Sequence, residues 1–307
     1  MRVAFCGNPA FALPTLEALL QSAHEVVAVI SSPDRPQGRG RKLAPMPVKK
    51  FALEKDLPVL TPQKLRDPDF LLELTGLNLD ALIVVAFRIL PHEMFTLPRW
   101  GALNVHPSLL PKGRGPAPIQ WTLLRGETET GVSIIRLTEE IDGGGILDQR
   151  RTPVQSHESF GDLHDRLARM GAGMLVEVLD ALESGISLQP VMQDESQVTT
   201  ARKLKPEDYL LNFNLPATDL LNRIRAFAPF PGAIAKAGQF SLKILSAQID
   251  SEASPIPAAQ LKLFHDSMSI GTADHPLSLK YVKPSGGKAM PVAEYLRGRP
   301  QLPERFD

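Results

Sequence analysis

Continuous apolar runs and helix-spaced apolar positions take turns along the first half of the chain. Arg2 to Gly7 is a short apolar run ending in glycine, and after Pro14 the residues Leu16, Leu19 and Leu20 fall at helical spacing. Glu25 to Ser31 reads as a second strand, Pro47 to Lys55 as a helix, Val59 to Thr61 as a short strand and Asp67 to Leu74 as another helix. Ala81 to Phe87 is almost wholly apolar, and Ala102 to His106 and Val132 to Leu137 add further strands. Strands that are apolar throughout are buried on both faces. In strand–helix alternation this predicts a doubly wound, mostly parallel α/β sheet with helices on both sides. Phe160 to Leu182 carries the longest helical pattern, and Leu163, Leu167, Met170 and Met174 are its expected core positions.

The texture changes near Ser187, where polar residues without periodicity run through Gln193, Asp194, Glu195, Ser196 and Gln197 to Pro206. That stretch reads as a linker. Beyond it Ala217 to Ala226 predicts a helix, followed by short runs at Ser241 to Ile249, Leu261 to Phe264 and Leu277 to Val282, separated by Gly, Pro, Asp and Ser. Such spacing suggests a small β-barrel or sandwich, with an oligonucleotide-binding-like barrel as one candidate. The expected organisation is therefore an α/β domain over 1–187, a linker over 188–206 and a C-terminal β domain over 207–307.

Composition narrows this picture only slightly. A chain of 307 residues, 43% hydrophobic, can bury one large core or two modest ones. Lys plus Arg and Asp plus Glu are 34 each, so there is no global pull toward nucleic acid or an acidic membrane. Any nucleic-acid partner must be met by a local patch. From Glu207 onward basic and acidic residues also nearly balance, so RNA binding there would rest on one basic face. The lone Cys6 sits in an apolar run, reads as a core thiol and fits a reducing compartment. No signal-like or membrane-spanning apolar stretch is evident, which points to a cytoplasmic protein.

The densest chemistry lies in Asn104-Val105-His106-Pro107-Ser108-Leu109-Leu110-Pro111, which leaves an apolar strand for a loop rich in proline and glycine. Residues two apart on a strand point the same way, so Asn104 and His106 project together, at the sheet edge where open α/β folds bind ligands. An amide beside an imidazole suits acyl transfer: the amide N–H stabilises an oxyanion while the ring exchanges a proton. A hydrogen-bonded structural histidine fits the same spacing. A second element, Glu139-Glu140-Ile141-Asp142-Gly143-Gly144-Gly145, follows the strand ending at Leu137. Its glycines allow close approach and its carboxylate could sustain an imidazolium, though Asp-Gly is equally a common hairpin turn. The histidines show no metal-ligand spacing, and no metal is expected.

Taken together, these two elements resemble the folate-dependent formyltransferase family, whose site is an Asn-x-His-x-Ser-Leu-Leu-Pro segment followed, after one strand, by an Asp-x-Gly loop. The resemblance implies that Asn104, His106 and Asp142 are catalytic and that 10-formyltetrahydrofolate is the formyl donor. It places folate contacts at Ser108, Leu109, Leu110 and Pro111. It also places pterin contacts, largely through backbone groups, in Phe87, Arg88, Ile89 and Leu90 and around Glu140 and Ile141. In the implied chemistry an acceptor amine attacks the formyl carbon, Asn104 and protonated His106 stabilise the oxyanion, and Asp142 sustains the imidazolium.

The acceptor rests on other residues. Pro33-Asp34-Arg35-Pro36-Gln37-Gly38-Arg39-Gly40-Arg41-Lys42-Leu43 is a glycine-rich basic loop that can meet phosphates, or simply a solvated flexible loop. It is similar to the basic insertion of family members that act on methionyl-tRNA, which implies initiator Met-tRNA as partner, with Arg35, Arg39, Arg41 and Lys42 contacting it. Arg114-Gly115-Pro116-Ala117-Pro118 and Gly287-Lys288-Ala289-Met290 also resemble family segments, and Lys283 and Lys288 are candidate phosphate contacts. The Ala228-Pro229-Phe230-Pro231 stretch predicts a rigid turn with a packed aromatic. Leu211-Asn212-Phe213 departs from the family's usual Ile-Asp-Trp by dropping a charge. The resemblance implies a monomer. Rival acceptors within the family are a UDP-aminosugar or glycinamide ribonucleotide. A 10-formyltetrahydrofolate hydrolase would keep the trio without needing the basic loop, and a non-enzymatic RNA-binding protein would leave the trio unexplained.

Overall fold

The computed structural model describes residues 1–37 and 42–307, the side chains of Gln37 and Lys42 excepted. Its elements in chain order begin with β1 (Arg2–Gly7), α1 (Leu13–Leu20), β2 (Glu25–Ile30), β3 (Arg35–Gln37), β4 (Lys42–Ala44), α2 (Pro47–Glu54), β5 (Val59–Leu60) and α3 (Pro68–Gly76). They continue with β6 (Ala81–Val85), α4 (His92–Thr96), β7 (Ala102–His106), α5 (Pro118–Leu124), β8 (Glu129–Arg136), β9 (Ile146–Pro153) and α6 (Phe160–Glu183). The last third contributes α7 (Ala217–Phe227), β10 (Ala233–Ala237), β11 (Phe240–Ile249), β12 (Leu261–Leu263), β13 (Met268–Ile270), β14 (Leu277–Pro284), β15 (Met290–Pro291) and α8 (Val292–Arg297).

The chain divides into two compact units. The first comprises Met1–Pro118, Glu129–Pro153 and His164–Arg202, and the second Ile119–Thr128, Val154–Leu163 and Lys203–Asp307.

In the first unit seven strands form one sheet in the order β5-β2-β1-β6-β7-β8-β9. Pairing is parallel from β5 to β7 and antiparallel from β7 to β9. Strand order reverses between β1 and β6, the type of crevice where doubly wound sheets place ligands. All five residues of β6 and of β7 are buried, as expected of strands covered on both faces. One face is filled by Ala4, Cys6, Ile30, Leu74, Leu82, Val84 and Met94. Burial also pushes the Cys6 thiol far above its ordinary pKa, so it is an inert core group. Two glycines are fixed by close approach. A Cβ on Gly7 would lie 2.8 Å from the Phe5 ring, and one on Gly171 of α6 would lie 2.4 Å from Val105 Cγ1. Leu163, Leu167 and Met174 are buried as expected, whereas Met170 is only half-buried; Leu175, Val178 and Leu179 complete the stripe. Helix α3 starts where the Asp67 side chain accepts the Asp69 and Phe70 N–H groups, with Pro68 at its first turn.

The second unit is an antiparallel sheet in the order β10-β11-β14-β13-β12, with β15 added along β14. Register shifts between Ile244 and Ala247 bend β11 against β14 and let the sheet curl. The last residues bridge its two edge strands: Leu261 N–H donates to Glu304 O and Phe306 N–H to Ala259 O on one side, and Asp307 N–H to Lys236 O on the other. The expected small β-barrel is therefore a curled half-barrel completed by an extended segment. Phe213, Leu220, Ile224, Phe227, Leu242, Ile244, Leu279 and Phe306 fill it. Phe213 keeps the bulk of the residue usual at its position, while Asn212 turns its side chain to the Asn214 N–H.

Three stretches differ from the sequence expectation. Strand β9 was not anticipated, because its Asp148-Gln149-Arg150-Arg151 run is polar and sits at a sheet edge. The basic loop begins and ends in a two-stranded ribbon, Arg35 pairing Ala44. The polar stretch after residue 187 is bonded into the first unit: Ile146 and Val191 exchange backbone hydrogen bonds, and Arg114 and Thr200 form a parallel bridge.

Candidate active site

Asn104 and His106 occupy alternate positions of β7, facing Ile135 and Ser133 across the β8 ladder, and are 9% and 5% exposed. Polar residues in a strand otherwise committed to the core need partners, and those of His106 are visible. Its Nε2 lies 3.0 Å from Gly113 O, and its Nδ1 lies 3.6 Å from Asp142 Oδ1, an ion-pair distance. A carbonyl oxygen only accepts, so Nε2 carries a proton and donates. Nδ1, on the other side of the ring, faces the Asp142 carboxylate.

Asp142 sits in the loop that closes the β8–β9 hairpin, so the segment forms a hairpin turn as well as facing His106. Its φ of 54° is left-handed, a conformation Asp tolerates better than most residues. Its Oδ2 accepts the Gly115 N–H at 2.8 Å. The glycines behind it are required by contact: a Cβ on Gly144 would fall 1.8 Å from Arg136 O.

A single hydroxyl shapes the neighbouring loop. Ser133 Oγ donates to Ser108 O at 2.7 Å and accepts from Leu110 N–H at 3.2 Å and Gln149 Nε2 at 2.8 Å. Gln149 also donates to Leu110 O, and Ser108 Oγ donates to Lys112 O. Ser108 is thus a buried loop-former, Leu110 is buried, and Leu109 and Pro111 are half-buried. Ser133 and Gln149 were not singled out by sequence; their signal was only a polar position within or beside an apolar strand.

Of the residues expected at the pterin, Phe87 and Arg88 are half-buried, Leu90 is buried and Ile89 is 77% exposed. The Arg88 guanidinium does not face outward freely: it donates to Pro62 O and Gln63 O and lies over the Phe87 ring. Burial, and then the charge of Arg35, lowers its pKa. Ile141, 58% exposed, tops the Asp142 loop, while Glu140 is paired with Arg114. Ile89 and Ile141 are thus large apolar side chains that stand in solvent on loops following strands of the first sheet.

Arg114 is the charged group buried at this site. It bonds Glu140 and Glu195 at 2.6 Å each and also Gln193, whose amide reaches the Asp142 loop. Burial alone would lower its pKa, but hydrogen bonding to Glu195 and the charges of Glu140 and Glu195 outweigh it and raise the value.

Arg35 is exposed on β3, and Asp34, the one acid of the basic loop, is neutralised by Lys49 at 2.7 Å. Arg39, Arg41 and the Lys42 side chain lie outside the described residues. In the second unit, Lys288 is exposed and the half-buried Lys283 on β14 pairs with Lys243 on β11. Phe230 is not packed: it is 75% exposed, while Phe227 takes the interior position against Tyr209.

Among the described residues one metal-capable cluster is present, His24, Asp180 and Glu183, and the Met1 ammonium already lies 2.6 Å from Glu183. No helix among the described residues is long and apolar enough to cross a membrane.

Comparison with known proteins bears on this geometry. A family profile described as formyl transferase matches residues 1–179, and one described as formyl transferase, C-terminal domain, matches residues 203–300. The methionyl-tRNA formyltransferase of Moorella thermoacetica is 40% identical over 305 residues, covering 99% of this chain and 98% of that protein. That of Acidobacterium capsulatum is 41% identical over 310 residues, with 99% and 98% covered. Among solved structures, an N-formyltransferase from Helicobacter canadensis, crystallised with folinic acid and dTDP-3-aminofucose, superposes with a TM-score of 0.66 at 17% identity, covering 90% of this chain and 98% of its own, and so shares the fold. Both profiles matched in order, with near-full-length relatives at about 40% identity, show that the chain is an enzyme of the formyl transferase family.

Proposed function

We propose that this enzyme moves the formyl group of 10-formyltetrahydrofolate to the α-amine of methionine on initiator Met-tRNA, with Asn104, His106 and Asp142 as its catalytic residues. The observation that carries the reading is His106 held between Gly113 O and Asp142, with Asn104 two residues away on the same strand, in a chain similar from end to end to methionyl-tRNA formyltransferases.

The acceptor amine attacks the formyl carbon on N10 to give a tetrahedral intermediate, which collapses as the bond to N10 breaks and N10 takes up the proton that the amine has lost. Asn104 and His106 share a strand face, so the Asn104 amide can donate to the formyl oxygen as negative charge gathers there, joined by the His106 Nε2–H as it turns from Gly113 O to the stronger acceptor. Asp142 offsets the cost of keeping a His106 imidazolium in a nearly dry site and helps relay the proton that must leave the amine. Ile89 and Ile141 shield one side of the donor ring from water, and backbone groups of 87–90 and 139–143 orient it.

The domain over 1–187 carries the donor site and the C-terminal domain over 207–307 contacts tRNA. For the acceptor, Arg35, Arg39, Arg41 and Lys42 in the basic loop and Lys283 and Lys288 in the second unit contact tRNA phosphates. The enzyme acts as a monomer in the cytoplasm.

The test is formyl transfer to purified initiator Met-tRNA beside a UDP-aminosugar and a no-acceptor control, with His106→Ala as the blank. Formyl-Met-tRNA with a dead blank supports the reading. Transfer to the sugar alone, or donor hydrolysis alone, overturns the acceptor assignment.

A further inference from the structure

The polar segment 190–201 has no role in the mechanism above, yet it touches both partners of His106. Gln193 Nε2 donates to Asp142 O at 2.7 Å and to Gly144 O at 2.8 Å. Its Oε1 accepts from Arg114 Nε at 3.0 Å and Nη2 at 2.9 Å. Arg114 is in turn held by Glu140, from the Asp142 loop, and by Glu195, from the segment itself. Further along, Thr199 Oγ1 accepts the Gly113 N–H, Thr199 O accepts the Arg114 N–H, and Ala201 N–H donates to Arg114 O. Gly113 supplies the carbonyl that receives the His106 proton, and Gly115 supplies the N–H that holds the Asp142 carboxylate. A Cβ on Gly115 would lie 2.7 Å from Ala201 O, so the two stretches press together.

The geometry points to Gln193, fixed by Arg114, as a positioning residue that sets Asp142 against His106. This rests on the catalytic reading of the trio. Three features favour it. Asp142 has a left-handed backbone, which persists where surrounding bonds over-determine it, and Gln193 supplies one of those bonds at the strained residue itself. The chemistry also demands an amide: Nε2 must donate to two carbonyls while Oε1 accepts from a guanidinium, and neither a carboxylate nor an apolar side chain can do both. Finally, Arg114 is 7% exposed and held by two carboxylates on different stretches, so it ties segment and loop together.

A catalytic carboxylate displaced by about 1 Å can cost on the order of 100-fold in rate. Gln193→Leu, Gln193→Glu, Arg114→Lys, Asp142→Asn and the double variant Gln193→Leu/Asp142→Asn are compared by kcat at saturating donor and Met-tRNA, with the melting temperature of each recorded. Expected are a roughly 10- to 100-fold loss of kcat in Gln193→Leu and Gln193→Glu and a smaller loss in Arg114→Lys. The double variant should be within about twofold of Asp142→Asn, because Gln193 acts through Asp142. Full activity in both Gln193 variants, or losses that multiply in the double variant, overturns the inference and leaves the trio standing. If Asp142→Asn itself keeps full activity, the trio reading falls, and with it what Gln193 was said to position. Should Gln193→Leu fail to fold, the isosteric Gln193→Glu and the charge-conserving Arg114→Lys decide.

Discussion

The two sheets solve opposite problems. In the first, β1, β6 and β7 are buried along nearly their whole length, so every side chain there must be apolar or fully partnered. In the second, β10 and β14 alternate between an interior face and an exposed one. The difference shows where function can sit. A strand covered on both sides carries a polar residue only at a cost, so Asn104 and His106 stand out as chemistry. A strand covered on one side gives its outer positions away freely, and Lys236 and Lys283 can be varied for recognition without touching the core.

The contrast is sharpest under substitution. Phe5→Ala in the doubly covered sheet should cost about 3–5 kcal/mol of stability, read from denaturant unfolding; a cost below about 1 kcal/mol would mean the first sheet is not packed as described. His106→Ala should cost about 1–3 kcal/mol of stability by leaving the buried Gly113 O unpaired, and should remove on the order of 100- to 1,000-fold in kcat, about 3–4 kcal/mol of barrier. Arg225→Met removes the guanidinium that donates to Glu158 O and Gln155 O within the second unit, and should cost about 1–3 kcal/mol by leaving carbonyls unpaired. Lys283→Ser and Lys288→Ser should change stability by less than about 0.5 kcal/mol. Each should lower the salt-dependence slope of tRNA binding by about one unit if the outer face meets phosphate. An unchanged slope would move the RNA contact elsewhere.

The same contrast explains what the sequence disclosed. The strands of the first sheet are legible from Arg2 to His106 because burial on both faces writes itself as unbroken apolar runs. Asn104 and His106 drew notice because polar groups interrupt one such run, while the catalytic role proposed for them came from the family resemblance. By contrast β9 is an edge strand with Asp148, Arg150 and Arg151, whose pattern resembles a loop. The stretch 190–201 read as linker because its order comes from polar side chains and isolated backbone bonds, which have no period. Gln193 and Asp142 lie 51 positions apart, and nothing local in either marks the other. Phe230, expected to be packed between its prolines, faces solvent because Phe227 already fills the interior.

The rims of the first sheet bear on colloidal behaviour. A β-sheet whose outermost strand offers a long row of free amide and carbonyl groups is a template on which another chain can add and fibrils can grow. Here one outermost strand, β5, is only two residues long. The other, β9, is capped near its start by Val191 and carries Arg150 and Arg151, which are paired with Glu177 and Glu129. A second copy approaching that rim meets a short stub on one side and a hydrated line of charge on the other, so crowding should not convert this fold into stacked sheets. Replacing Arg150 and Arg151 with valine would remove that protection and should appear as light scattering on concentration, before any loss of catalysis.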